Sequence, residues 1–485
     1  MTLKSQSLLA IVAASLCGAM SLANAGPIIL PFEADQTVTM PGQFAVPVEA
    51  GQTIENSGTW TTVGAVSTWT LQFKAPGAAS MSAYLEDIMI APGATLRVGS
   101  LMPTLQSGAR SSYRSWPESG DTIEITLTAP ANERGRSSLR VHTIFPGLVQ
   151  IGGDSTSRSI AKSDEDLVDL DPVNYACVRD QTDQHEAISR ATAFIVVGPK
   201  ACSGSLMNHD DADDQAWLLT AAHCGDDYDR GTGAETAGGT LVARFNAIAP
   251  CSEGIISASD STTATSFLQG ISTVYSDVGD TGDASVANDL WVVKLEDYPP
   301  VAARSYLAGY NGEVIKQQGD VFTAITHADA NVQQFVTSTW RFNGTGSLRL
   351  EGMPYARLSE IVATDITMGD TSGGSSGSSI YSSENATLGV LTSGGIGRFN
   401  YSPISQAVEK MMSLGLLTNA SMAGRAAPAP RATPTPSPPP PTSTPTPVAT
   451  VQPPDQSSGG GSVPLLTVGL LLAGSLIRRL RHLLD

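Results

Sequence analysis

Residues 202–224 read CSGSLMNHDDADDQAWLLTAAHC. The apolar run Trp217, Leu218 and Leu219 forms a strand that leads directly into Thr220-Ala-Ala-His-Cys, so His223 is delivered at a strand end. In an exported protein Cys202 and Cys224, 22 residues apart, are able to close a disulfide that holds the histidine's turn. A histidine alone is ordinarily structural or solvated; this one has company further along the chain. The string NDLWVVKL, residues 288–295, puts Asp289 at the start of a buried strand, where a carboxylate can fix an imidazole tautomer and stabilise the imidazolium. A Gly/Ser turn running into a strand, GGSSGSSIY at 373–381, exposes a hydroxyl while the amides of Gly374 and Ser376 converge on one point, the arrangement that binds an oxyanion. Taken singly, Asp289 reads as a turn residue and the Gly/Ser run as a loop. In the order His, Asp, Ser, with spacings of 66 and 87 residues, they read as a base, its orienting carboxylate and a nucleophile.

Outward from this constellation, composition bounds the rest. The chain has 485 residues, 41 % apolar and 15 % charged, with 47 Gly and 30 Pro, which suits a β-rich body with Pro-rich attachments and excludes a long coiled coil. Acidic residues outnumber basic ones by 46 to 28, and a net charge of -18 repels phosphate backbones, so nucleic acid is not an expected partner. From 26 to about 165 short apolar alternations (TVTM, QFAVPVEA, TWTLQF, DTIEITLTAP, LRVHTIF) are broken by Gly, Pro and Ser, the pattern of an antiparallel β-sandwich. Its one histidine, His142, sits in a strand-like run and reads as a core or cross-strand residue. The acidic stretch AKSDEDLVDLDP, 161–172, marks a linker, and a second β-rich body from about 174 to 420 closes with an amphipathic helix over 405–417.

Both ends read as addresses. Residues 1–25 carry Lys4, an apolar run and a terminal Ala-Asn-Ala, the pattern of a signal peptide cut after Ala25, which removes Cys17 and leaves four cysteines. Residues 426–456 are a Pro/Thr/Ser-rich, extended spacer. The SSGGGS motif at 457–462 precedes an apolar segment, 463–477, and the cluster Arg478, Arg479 and Arg481, which reads as a short membrane segment with its basic end cytoplasmic. This tail, 457–485, resembles the Gly-Gly carboxy-terminal sorting signal of Gram-negative bacteria. That resemblance implies export, the type II secretion machinery and rhombosortase as processing partners, membrane contact only before processing, and an extracellular or cell-surface destination.

With TAAHC, DLWVVKL and GSSGS in hand, residues 174–417 resemble the chymotrypsin/trypsin-like serine endopeptidases, nearest the bacterial lysyl or glutamyl branch by CSGSL, GSSGS and the downstream GVLTSGG. The resemblance implies an all-β fold of two six-stranded barrels with the site between them. It also implies His223 as general base, Asp289 as orienting carboxylate, Ser376 as nucleophile and the amides of Gly374 and Ser376 as oxyanion hole. Ser372, in GDTSGG, is a rival nucleophile. The pairs Cys177–Cys251 and Cys202–Cys224 are the family's disulfides. Two departures from trypsin stand out: Ser375 replaces the Asp that pairs with a newly cut N-terminus, and VQIGG at 149–153 lacks the preceding basic residue. Residues 26–165 are then either a propeptide or a retained adhesive module. Asp370, six positions before Ser376, matches the trypsin pocket carboxylate that selects Arg or Lys; Thr371 would instead suit a glutamyl-type pocket, and Asp370 is otherwise a loop acid. The acidic stretches 210–214 and 225–229 do not match a calcium loop and read as solvated. The expectation is a secreted serine endopeptidase acting on protein or peptide substrates without metal or cofactor. Its rival is a catalytically idle protein that binds surfaces through the sandwich.

Overall fold

The computed structural model describes residues 26–35, 42–149, 151, 173–210, 215–226, 241–251, 266–277, 286–312, 319–348, 356–395 and 398–430. The expected signal peptide, the acidic linker 161–172, most of the stretches 210–214 and 225–229, nearly all of the Pro-rich spacer and the whole tail with its membrane segment lie outside these residues. Among the described residues, no helix is long and apolar enough to cross a membrane.

Between Ile28 and Gly147 the strands form two five-stranded sheets. In one of them Val66–Lys74 and Thr122–Pro130 pair in antiparallel register, and their alternation buries Trp69, Leu71 and Phe73 beside Ile123, Ile125 and Leu127. The other sheet, built on Ser80–Ile90 and Ser138–Gly147, turns Ala83, Leu85, Val141 and Ile144 to the same core, completing a sandwich. Among the described residues of the sandwich, the two-residue strand Ile28–Ile29 pairs in parallel with Phe73–Lys74. His142 lies within Ser138–Gly147, its ring edge-on to Tyr84 with centroids 5.9 Å apart, a cross-strand contact.

Beyond Val173 a helix, α1 (Asp183–Ala191), leads into six strands: β1 (Thr192–Val197), β2 (Lys200–Met207), β3 (Trp217–Ala221), β4 (Leu241–Phe245), β5 (Ser266–Asp277) and β6 (Leu290–Leu295). They close a barrel in the order β1-β2-β3-β6-β5-β4. Six more follow: β7 (Val321–Thr326), β8 (Gln334–Leu348), β9 (Ala356–Met368), β10 (Ser379–Tyr381), β11 (Ala386–Gly395) and β12 (Arg398–Pro403). Their pairings close a second barrel in the order β7-β8-β9-β12-β11-β10, the same path as the first. The double barrel expected from the family resemblance is therefore present.

The closing helix, α2 (Ile404–Ser413), starts behind Pro403 and buries Ile404, Ala407, Val408 and Met411, an i, i+3, i+4, i+7 stripe packed on the first barrel's core. It stops short of the expected 417. Gly415 takes φ +73°, and its N–H and that of Leu416 bond back to Met412 O and Met411 O, a left-handed cap that ends the helix at Ser413.

The sandwich and the first barrel share one core. Phe194, Val196, Ala201 and Val242 belong to the same buried cluster as Trp116, Phe145 and Trp69. Trp116 meets Phe194 edge-on at 5.0 Å, and the buried Arg114 donates to Gly198 O at 2.9 Å in the β1–β2 turn. Gln269 on β5 exchanges two hydrogen bonds with the Arg114 backbone, at 2.8 and 2.9 Å.

Candidate active site

Strand pairing, not proximity in sequence, brings His223 and Asp289 together. β3 and β6 run antiparallel with Ala221 opposite Leu290, so the residues just past one strand and just before the other meet. Ala222 N donates to Asp289 O at 3.1 Å, and the chain turns at His223 into a single helical turn, His223–Asp226. Asp289 has φ +51°, an uncommon conformation for a residue other than glycine, which this pairing holds in place.

Asp289 is 1 % exposed, and its carboxylate accepts three hydrogen bonds among the described residues. His223 N donates to Oδ1 at 2.8 Å, His223 Nδ1 donates to Oδ2 at 2.8 Å, and the Thr392 hydroxyl on β11 of the second barrel donates to Oδ2. A buried carboxylate needs such partners. Because a carboxylate only accepts, Nδ1 carries the proton and Nε2 is left with its lone pair. The disulfide Cys202–Cys224 fastens the turn carrying His223 to β2, and Cys177–Cys251 ties the start of this body to the segment after β4.

Ser376 lies on the loop between β9 and β10. Gly369, with φ +80°, breaks β9, and a side chain there would meet Phe335 O at 2.1 Å. The loop presses on the first barrel: Ser376 O accepts from Ser203 N at 2.8 Å and lies 3.9 Å from Cys224 Sγ. A Cβ at Gly377, φ +84°, would come within 2.1 Å of Thr220 Oγ1 and 2.3 Å of Ser203 O. Ser376 thus sits where the two barrels touch, its carbonyl beside the residue that follows His223.

Within the loop the N–H groups of Ser375, Gly377 and Ser378 donate to Ser372 O, Leu391 O and Ser375 O. Those of Gly374 and Ser376 donate to no backbone carbonyl among the described residues. Ser376 and Ser372 are both partly exposed, but the hydroxyl oxygen of the rival Ser372 is itself buried with no hydrogen-bond partner among the described residues. Asp370 is half-buried and accepts from Thr371 N at 2.7 Å, while Thr371 is buried. Among the described residues, no group of three His, Cys, Asp or Glu side chains is set to hold a metal.

Sequence reading missed Thr392, although GVLTSGG had drawn attention to its strand, and it missed Ser203 and the turn His327–Asn331, which buttress the Ser376 loop. Ser203 and Thr392 stand inside the quoted strings CSGSL and GVLTSGG, but nothing there singles out the residue itself; their role comes from contacts across the two barrels.

Residues 172–400, slightly under half of the chain, match the model of the family described as lysyl endopeptidase, C-terminal domain. Among solved structures, the inactive form of Rv3671c from M. tuberculosis H37Rv, as a serine-to-alanine mutant, aligns at 13 % identity and TM-score 0.32, over 53 % of this chain and 95 % of that one. A further structure, the inactive form of the Rv3671c protease, aligns at 13 % identity and TM-score 0.32 over 51 % of this chain and 100 % of that one. The family match, together with the two barrels, supports a trypsin-like serine protease.

Proposed function

We propose that the protein is an exported serine endopeptidase that hydrolyses peptide bonds through an acyl-enzyme, cutting after Lys or Arg. The observation that carries this reading is the buried Asp289 carboxylate bonded to both His223 N and Nδ1, which leaves Nε2 without a proton, while the adjoining Cys224 Sγ lies 3.9 Å from Ser376 O. Ser376 Oγ attacks the scissile carbonyl carbon as His223 Nε2 takes its proton. Negative charge then develops on the carbonyl oxygen, and the Gly374 and Ser376 amides receive it. His223 returns the proton to the departing amine, and water, activated by the same nitrogen, hydrolyses the ester to restore Ser376. The burial of the partnerless Ser372 hydroxyl oxygen favours Ser376 as the attacking group. No metal enters this chemistry.

Support for a basic preference comes from the family's lysyl description and from Asp370, a carboxylate on the loop of the nucleophile. The leader at 1–25 and the tail at 457–485 support export through type II secretion with later trimming by rhombosortase.

The test is hydrolysis of peptides ending in Lys, Arg, Glu or Phe by the wild type, Ser376→Ala and Asp370→Ala. We expect cleavage after Lys and Arg, a loss of about 10⁴-fold or more in kcat with Ser376→Ala, and a loss of about 100-fold or more in kcat/KM for basic substrates with Asp370→Ala. Cleavage after Glu would move the pocket to Thr371. An inert wild type would overturn the reading and leave a binding protein.

A further inference from the structure

The carbonyl of each peptide that bears a candidate oxyanion amide is already engaged. Gly373 O shares its peptide with Gly374 N–H and accepts from Asp329 N at 2.7 Å. Ser375 O shares its peptide with Ser376 N–H and accepts from Ser378 N at 3.0 Å. All peptide bonds here are trans, so in each the N–H points away from the carbonyl, and holding the carbonyl aims the amide.

The neighbouring carbonyls of the loop, those of Gly374 and Ser376, are held by one residue of β2. Ser203 Oγ donates to Gly374 O at 2.9 Å and accepts from His327 N at 2.9 Å, while Ser203 N donates to Ser376 O at 2.8 Å. Ser203 therefore grips the carbonyls on either side of Ser375 and links them to the turn His327–Asn331. That turn contains two consecutive left-handed residues, Asp329 (φ 52°) and Ala330 (φ 56°). It is closed by His327 Nδ1 donating to Asn331 O at 2.8 Å, with the imidazole stacked on Phe194 at 4.9 Å. Contact with the loop is direct: a Cβ on Gly374, φ +99°, would lie 2.6 Å from His327 O and 3.0 Å from Ala330 N. Ser375 itself is buried, its hydroxyl accepts from Ser372 N at 3.3 Å, and it has no charge with which to anchor the loop to an ammonium group.

We propose that Ser203 is the positioning residue that sets the oxyanion hole, its hydroxyl and the His327–Asn331 turn holding the Gly373–Ser376 peptides with their amides outward in the uncut chain. The proposal rests on the catalytic reading above. It makes activity independent of a new N-terminus, because the clamp is internal to the barrels and uses no terminal amine.

The experiment compares the full chain with Ser203→Ala, Ser203→Gly and Ser203→Thr, measuring kcat and KM on a Lys peptide, affinity for a peptide aldehyde whose adduct carries the oxyanion, and thermal midpoint. Ser203→Ala and Ser203→Gly should lower kcat by about 10- to 100-fold with KM within about twofold, and weaken the aldehyde by the same factor as kcat/KM. Ser203→Thr, which keeps the hydroxyl, should recover most of the loss. A simple packing defect would lower the midpoint without this match between kcat/KM and aldehyde affinity. Should the alanine variant not fold, the glycine variant decides, since each lacks the hydroxyl and keeps the backbone N–H that bonds Ser376 O. Unchanged kcat and aldehyde affinity in an active enzyme would overturn the clamp alone; a wild type that cleaves no substrate and binds no aldehyde would overturn the catalytic reading and the clamp with it.

Discussion

His327 is completely buried, and burial, reinforced by nearby Arg244, pulls its pKa from 6.5 down to about 3. The folded protein therefore keeps this imidazole neutral while the unfolded chain takes up a proton below 6.5. Above that pH His327 adds no pH dependence; between it and the folded value stability falls on acidification, by about 1.4 kcal/mol per pH unit from this group. Urea unfolding of the wild type and His327→Gln across this range should show the wild type losing its advantage as pH falls; a constant difference between the two would contradict it. Gly377 makes a sharper case. With φ +84° and Thr220 Oγ1, Ser203 O and Ala221 N standing where a Cβ would go, Gly377→Ala should cost several kcal/mol or displace the Ser376 loop. Activity and thermal midpoint measured together check this, and a fully active, stable variant would show that the loop is looser than described. At this scale the sequence was legible where residue types are unusual in combination, as in TAAHC and GSSGS. Ser203, Thr392 and His327 stayed silent because serine, threonine and histidine in strands and turns have many ordinary uses.

Among the elements, the hairpin β2–β3 has the most consequential constraint, since Cys202–Cys224 closes a loop with a sequence separation of 22 beside His223. Removing it with Cys202→Ala and Cys224→Ala together should cost about 3 kcal/mol. We expect activity to fall further than stability, because Cys224 follows His223; calorimetry and kcat on the same sample separate the two, and an unaffected kcat would place the histidine's support elsewhere. Element by element, β3 was readable from Trp217, Leu218 and Leu219 running into TAAHC, and α2 from its apolar stripe. Its early end at Ser413 was not, since Gly415 and the apolar Leu416 and Leu417 look like continuation until the cap geometry is seen. Register was equally opaque. That Ala221 faces Leu290 depends on pairing across 69 residues, and no local pattern encodes it. The double barrel was legible through family resemblance, while the identical strand path of the two halves has no visible repeat in the sequence.

For the whole molecule, the sandwich reads in sequence as a separate body, yet its core runs without a break into the first barrel through Trp116, Phe145 and Phe194. Alternating strands announce a sandwich, but nothing in them says which edge is covered by a neighbour. Trp116→Ala in the full chain should cost about 3–5 kcal/mol, lowering the unfolding midpoint and the temperature of activity loss together. Two separate transitions, with only one shifted, would mean that the bodies unfold independently. The segment Gly42–Ala45 extends this contact to the site: Ala201 N donates to Gly42 O at 2.8 Å, and a Cβ on Gly42 would lie 3.7 Å from Gly374 N. All of this hangs on one claim, that Ser376 is a serine activated by His223. The most direct measurement is labelling of the full chain with a fluorophosphonate at neutral pH, followed by mass spectrometry of the digested protein. One adduct is expected, on Ser376, absent from His223→Ala; an adduct on Ser372, or none on a folded wild type, would contradict an activated Ser376.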